Sequence, residues 1–179
     1  MNIEKSYKYP KRIVCLTEES VETLFLLGEQ ERIVGVSAFV KRPHEATRLP
    51  KVSMFTSSHY KKIADLRPEL IIGHSDIQKD IAKDLIELGF NVHIANHRSI
   101  HGILQYIYML SRLCDCPEKG DKLLSDLSIK INKAQDFAKN LQIRPKVYFE
   151  EWDEIRDNNL GLLTSDLFLL TMLAVVAFN

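Results

Sequence analysis

The sequence lacks most of the motifs that announce a chemistry. It contains no G-x-G-x-x-G and no G-x-x-x-x-G-K, so the phosphate-cradling loops of nucleotide-binding α/β proteins are missing. Ser20, Ser57 and Ser75 stand outside any G-x-S-x-G context, which removes the usual serine-hydrolase reading. Cysteine is scarce, with three in 179 residues. Cys114 and Cys116 are too close for an ordinary disulfide staple, and no second pair completes a thiolate metal centre. Cys15 falls inside an apolar strand and is expected to be buried and inert; all three thiols read as reduced. Charge of either sign in excess is also absent, since 24 basic residues balance 24 acidic ones. Nothing electrostatic therefore favours nucleic acid or an anionic membrane as partner. The opening MNIEKSYKYPKRIV has no apolar h-region, so no secretory signal is read there.

What is present is a globular composition, 45% apolar and 27% charged, in a chain long enough for one domain and a fraction of another. The organising stretch is RIVCLTEESVETLFLLG, residues 12–28. An apolar run at 13–16 breaks into Thr17-Glu18-Glu19-Ser20, and an amphipathic segment then ends at Gly28. This reads as strand, loop and helix, with the glycine as C-terminal cap. The unit then repeats. Strands are predicted at 33–37, 51–53, 70–73 and 91–95, with helices at 59–66, 77–88 and from Ser99 to 113. Pro43 and Pro50 flank an extended or irregular passage. Five short apolar strands separated by helices predict a parallel, Rossmann-like α/β sheet with right-handed crossovers. Ligands of such sheets sit at the carboxyl ends of the strands, which makes the loops after each strand the candidate site.

Pro117 opens a long predicted helix, 118–141, whose Leu123, Leu124, Leu127, Ile131, Ala134, Phe137, Ala138 and Leu141 recur at steps of three and four. Its length of about 36 Å suits a spine lying across a lobe. A sixth strand is predicted at 146–150, running into Glu151-Trp152-Asp153-Glu154. Residues 160–178 are strongly apolar, but Asp166 would be costly inside a membrane and no basic anchors follow. That tail is expected to find a groove or to drive self-association. The domain reading is thus an N-terminal lobe over 1–116, a spine helix over 117–143, and the start of a second lobe with a divergent tail over 144–179.

RIVCLTEESVETLFLLG, RIVGVSAFVKRP, VSMFTSSHYKKIADLRPELIIGHSD, NVHIANHRSI and RPKVYFEEWDE follow one another in order from Arg12 to Glu154. In this pattern the chain resembles the helical-backbone class of ABC-transporter substrate-binding proteins, which take cobalamin and iron–siderophore complexes, and within it the cobalamin-binding branch that often lacks a signal peptide. The resemblance implies two α/β lobes joined by one long helix, a ligand captured in the cleft between them without covalent chemistry, and hand-over to a permease. It implies no intrinsic cofactor, with cobalamin as the bound ligand. After EEWDE the sequence leaves the family pattern, so a product truncated after the first lobe is expected. The missing signal places it in the cytoplasm, while the family's usual role points to the periplasm.

The candidate binding residues follow from position and chemistry. Thr17, Glu18 and Glu19 offer polar contacts backed by a helix N-terminus, or serve as ordinary capping and dipole partners. Phe39 and Phe55, with Thr56 beside the latter, are suited to walling a large flat ligand, or else pin their own loops. Lys41 and Arg42 match a phosphate or an anionic chelate, with a solvated basic pair as the alternative. His74, Ser75, Asn96, His97 and Arg98 lie in loops on one predicted edge. Their imidazoles suit hydrogen bonding or axial ligation of a chelated metal, and His74, His97 and His101 are the members of a rival, histidine-based metal reading. His93 alternates with Val92 and Ile94 within a strand and reads as structural. By the resemblance, Trp152 faces the cleft from the second lobe. Lys61 stands where the family commonly carries an acid that pairs with a permease arginine, which reverses the sign at that contact.

Overall fold

The computed structural model describes residues 9–141. Five parallel strands form one sheet: β1 (Ile13–Cys15), β2 (Ile33–Ser37), β3 (Lys51–Ser53), β4 (Leu70–His74) and β5 (Val92–Ala95), in the order β3-β2-β1-β4-β5. Every neighbouring pair is parallel. The chain winds outward from β1 through β2 to β3, then returns to β1's other side for β4 and β5. The loops after β1 and β4 therefore diverge at the point where the winding reverses, the place where open α/β sheets leave a crevice.

The α-helices among the described residues are α1 (Glu18–Leu26), α2 (Tyr60–Asp65), α3 (Lys79–Glu87), α4 (Ile100–Leu113) and α5 (Pro117–Lys139). β1 shows why both sheet faces need covering: all three of its residues are buried. Its alternate side chains enter different cores, as the two-residue period of a strand requires. Ile13 and Cys15 join Val21, Leu24, Ala95, Tyr106 and Leu110 on the side of α1 and α4. Val14 and Leu16 join Val52, Ile63, Ile71, Ile81 and Leu85 on the side of α2 and α3. The Cys15 thiol, wholly buried, has its pKa pushed up to about 12 by desolvation, so it stays protonated and unreactive at neutral pH. Cys114 and Cys116 are buried free thiols as well.

α5 packs against α4 through Leu127, with Ile103 and Ile107 opposite and Leu123 and Leu124 at the margin. The approach is close: a Cβ on Gly120 would lie 2.1 Å from Ser111 Oγ and 2.3 Å from Ser111 Cβ. The apolar stripe read along this helix divides in two. Its first half docks on the lobe, whereas Ala134, Ala138 and Leu141 are exposed and Phe137 is 70% exposed. Among the described residues no helix is long and apolar enough to cross a membrane.

Three details differ from the sequence reading. The passage between Pro43 and Pro50 holds a 3-10 turn, His44–Arg48, with Ala46 buried beneath it. The helix after β4 begins as a 3-10 turn, Asp76–Gln78, before α3 proper. His74, expected in a loop, is the last residue of β4, because its backbone stays in register with Ala95 of β5. The predicted sixth strand, Trp152 and the apolar tail lie outside the described residues.

Candidate ligand-binding rim

Because all strands are parallel, their carboxyl ends share one edge of the sheet. The loops after them carry Thr17, Phe39, Phe55, the His74-Ser75 step and Asn96. One side chain physically joins these loops, and sequence reasoning passed over it. Gln78, 1% exposed, accepts a hydrogen bond at Oε1 from the His74 backbone N–H at 2.9 Å. Its Nε2 donates to the carbonyls of Leu16 and Phe55, each at 3.4 Å. An amide is the one side-chain group that both donates and accepts at a single planar end, so Gln78 stitches the ends of β1, β3 and β4 together. A glutamine in a first helical turn looks like a solvated residue in sequence. The nearest clue is Gly73, where a Cβ would come within 2.6 Å of Gln78 Oε1.

Phe39 and Phe55 come from different loops and stack on each other, with ring centroids 4.4 Å apart and planes 16° from parallel. They are 39% and 45% exposed, with Met54 at 51% beside Phe55. Neither ring belongs to the buried core clusters. An exposed stacked pair on a rim is apolar area left uncovered by the lobe itself. Thr56 and Asn96 are exposed on the same edge.

The histidines form a second, deeper feature. His74, 7% exposed, lies with its ring 4.4 Å from that of His97, tilted by 43°. His97 in turn lies 5.2 Å from the ring of Tyr106. Tyr106, unmarked by the sequence reading, rises from α4 at a position spaced with Ile103 and Leu110. Burial, reinforced by the nearby Glu19 charge, raises its phenol pKa well above the ordinary value, so it remains a neutral phenol. His101 is on the exposed side of α4's first turn, apart from a helical pairing with His97, which precedes the Ser99 cap. Among the described residues no group of three or more His, Cys, Asp or Glu side chains is placed to hold a metal ion. His93 is half-buried in β5 with its pKa lowered by desolvation.

Other candidates are turned toward the protein. Thr17 is the N-cap of α1 but makes no side-chain cap bond; its hydroxyl donates to the Glu19 carboxylate instead. Both residues are buried, at 7% and 9% exposure, so they shape the rim from beneath and are not presented to solvent as expected. Glu18 accepts from the Arg42 backbone N–H at 2.9 Å, and the Arg42 guanidinium lies 3.5 Å from Glu18 and 3.3 Å from Glu22. Arg42 thus ties the β2 loop to α1, which corrects its reading as a residue held out for an anion. Burial raises the Glu22 carboxyl pKa despite Arg42, with Glu18 and Glu19 adding to the rise. Ser75 is buried at φ +62° and ψ 171°, a backbone region occupied almost only by glycine and costly for a side chain by about 1–3 kcal/mol. Its amide donates to Ala95 O at 2.7 Å and its hydroxyl caps Ile77 N. Arg98 pairs with Asp76 at 2.9 Å.

The rim therefore gathers aromatic rings, a histidine pair and backbone-anchored polar groups at the switch point of a doubly wound sheet. The profile of the periplasmic binding protein family matches residues 13–161. The chain belongs to that family. It is 28% identical over 147 residues to the vitamin B12-binding protein of Vibrio cholerae, a match covering 80% of this chain and 52% of that one. Among solved structures it resembles the periplasmic vitamin B12 binding protein BtuF of Vibrio cholerae, with TM-score 0.66, 26% identity and coverage of 73% of this chain and 52% of that one. It also resembles the periplasmic heme-binding protein RhuT from Roseiflexus, with TM-score 0.67, 26% identity and coverage of 75% and 52%. The chain spans about half the length of the curated relatives it matches.

Proposed function

We propose that this chain binds a bulky, flat metal chelate, cobalamin first among them, as the substrate-binding part of an ABC-type uptake system, and that it performs no chemistry on its cargo. The observation that carries the reading is the exposed Phe39–Phe55 stack on the strand-end rim. A large planar macrocycle offers a matching face, and a further stacked ring contributes about 0.5–1.5 kcal/mol beyond its buried area. The relatives named for vitamin B12 and heme support a flat tetrapyrrole-like cargo.

Titration calorimetry of cyanocobalamin into the full 179-residue chain tests this. A nanomolar two-lobe site corresponds to about −12 kcal/mol, and one wall supplying half of it leaves a Kd of a few tens of micromolar, roughly. Phe55→Ala should weaken that binding about tenfold. Submicromolar binding would show that this rim suffices without a second lobe. Absence of heat with both cyanocobalamin and hemin at millimolar concentration sinks the reading, as does a Phe55→Ala chain that binds as well as the parent.

A further inference from the structure

We infer that the trough between α3 and the outer edge of β5 is a separate binding site, made for a small aromatic carboxylate. β5 is the edge strand of the sheet, and beside it α3 leaves an open, shallow trough of about 590 Å³. Its floor is apolar, formed by Ala82, Ile86 and Ile94. Ile86 is 58% exposed, although the neighbouring Ile81 and Leu85 on the same helix are buried. An isoleucine left uncovered over a concave surface favours an apolar occupant, each buried methylene contributing about 0.8 kcal/mol.

The four charged residues lining the trough, Asp76, Lys79, Lys83 and Glu87, sum to zero, but they are not all paired. Asp76 is matched by Arg98 at 2.9 Å, and Glu87 by Lys83 at 3.8 Å. The remaining charged residue lining the cavity is Lys79, which has no ion-pair partner among the described residues. With Asp76 held by Arg98 from outside the lining, Lys79 is the lining charge left outside an ion pair beside an apolar floor. An occupant that complements both features is an amphipathic monoanion, its ring on Ile86 and Ile94 and its carboxylate toward the Lys79 ammonium. The Phe39–Phe55 stack does not line the trough, and only Ser75 and Asn96 are common to it and the rim. The site therefore stands or falls apart from chelate binding.

The probe is 2-naphthoate, titrated into the isotopically labelled full chain and followed by backbone amide shifts. Saturable shifts along α3 and at Asn96 are expected, with affinity falling as salt is raised. The neutral isostere 2-naphthamide should bind about fivefold more weakly, the worth of one partly exposed ion pair. Lys79→Glu should cost about tenfold, since attraction becomes repulsion, and Ile86→Ser should weaken both probes. Phe55→Ala should leave 2-naphthoate binding unchanged. The inference is overturned by shifts centred on Phe39 and Phe55, by equal affinity for acid and amide, or by a Lys79→Glu chain that binds as tightly as the parent. All three substituted side chains are exposed, and loss of the folded amide spectrum in any variant would itself contradict their placement.

Discussion

The two ends of the sheet are built on opposite plans. At the amino ends of the strands, charge is used internally. The Arg12 guanidinium donates twice to Leu66 O, at 2.9 and 2.6 Å. Arg32 donates to Glu29 at 2.7 Å and to the carbonyls of Pro10 and Cys114 at 2.8 Å each. Lys119 reaches back from α5 to Glu29 at 2.8 Å. One guanidinium thereby ties the chain before β1, the entry to β2 and the turn between α4 and α5. At the carboxyl ends, aromatic rings are left uncovered, and the loops are joined by the Gln78 amide together with the Arg42–Glu18/Glu22 and Arg98–Asp76 pairs. The difference separates two tasks within one lobe: the first end holds the layers together, and the second presents surface. Stability should accordingly be most sensitive at the first end and ligand affinity at the second.

The sharpest test of the stapled end is Gly120→Ala. The added Cβ would lie 2.1 Å from Ser111 Oγ, so α4 and α5 must separate. Overpacking of this kind should cost about 3 kcal/mol in urea denaturation. A loss below about 0.5 kcal/mol would be the size of an ordinary surface change and would mean that the helix pair yields freely. Gln78→Leu probes the other end with little change in side-chain volume. It strands the His74 N–H and two carbonyls, and should cost about 2 kcal/mol. Cyanocobalamin affinity should fall further in this variant than in Gly120→Ala once both are measured at a temperature where they are fully folded. Equal affinities would erase the division of labour between the ends.

How much of this was legible follows the same division. The five strands and the helices between them are readable because short apolar runs and helical periodicity are local signals; a strand buried on both faces, such as β1, shows no alternation and is told from a helix by its shortness and its flanking polar residues. The placement of the candidate loops on one edge followed from parallel pairing alone. What escaped was the direction of side chains. Thr17 and Glu19 look like ligand-facing polar residues in the sequence, yet they bond to each other in the protein interior. Arg42 looks like a free cation, but its partners Glu18 and Glu22 lie on a helix about twenty residues earlier. Gln78 acts through a contact of long sequence separation, to Leu16, and Tyr106 meets His97 across the start of α4; no spacing rule encodes either. The stacking of Phe39 on Phe55 likewise joins two loops that were identified singly.

The smallest expected effect also bears on the stapled end, through pH. Burial acts to raise the Glu29 carboxyl pKa, but hydrogen bonds from Lys119 and Arg32 outweigh it and hold the carboxyl below the usual range. A carboxyl with a depressed folded-state pKa binds protons less readily in the folded chain than in the unfolded one. Its contribution is therefore fully present above the unfolded-state pKa and is lost as pH falls through the folded-state value. Arg32 and Lys119 stay charged throughout that window, so the loss belongs to Glu29. Glu29→Gln should lower stability by about 1 kcal/mol at pH 7, a discounted figure because the Lys119 side chain is 54% exposed. The gap between parent and variant should close as denaturation is repeated at progressively more acid pH. A gap independent of pH would assign the cost to packing of the amide and remove the ion pairs from the account of how this end is held.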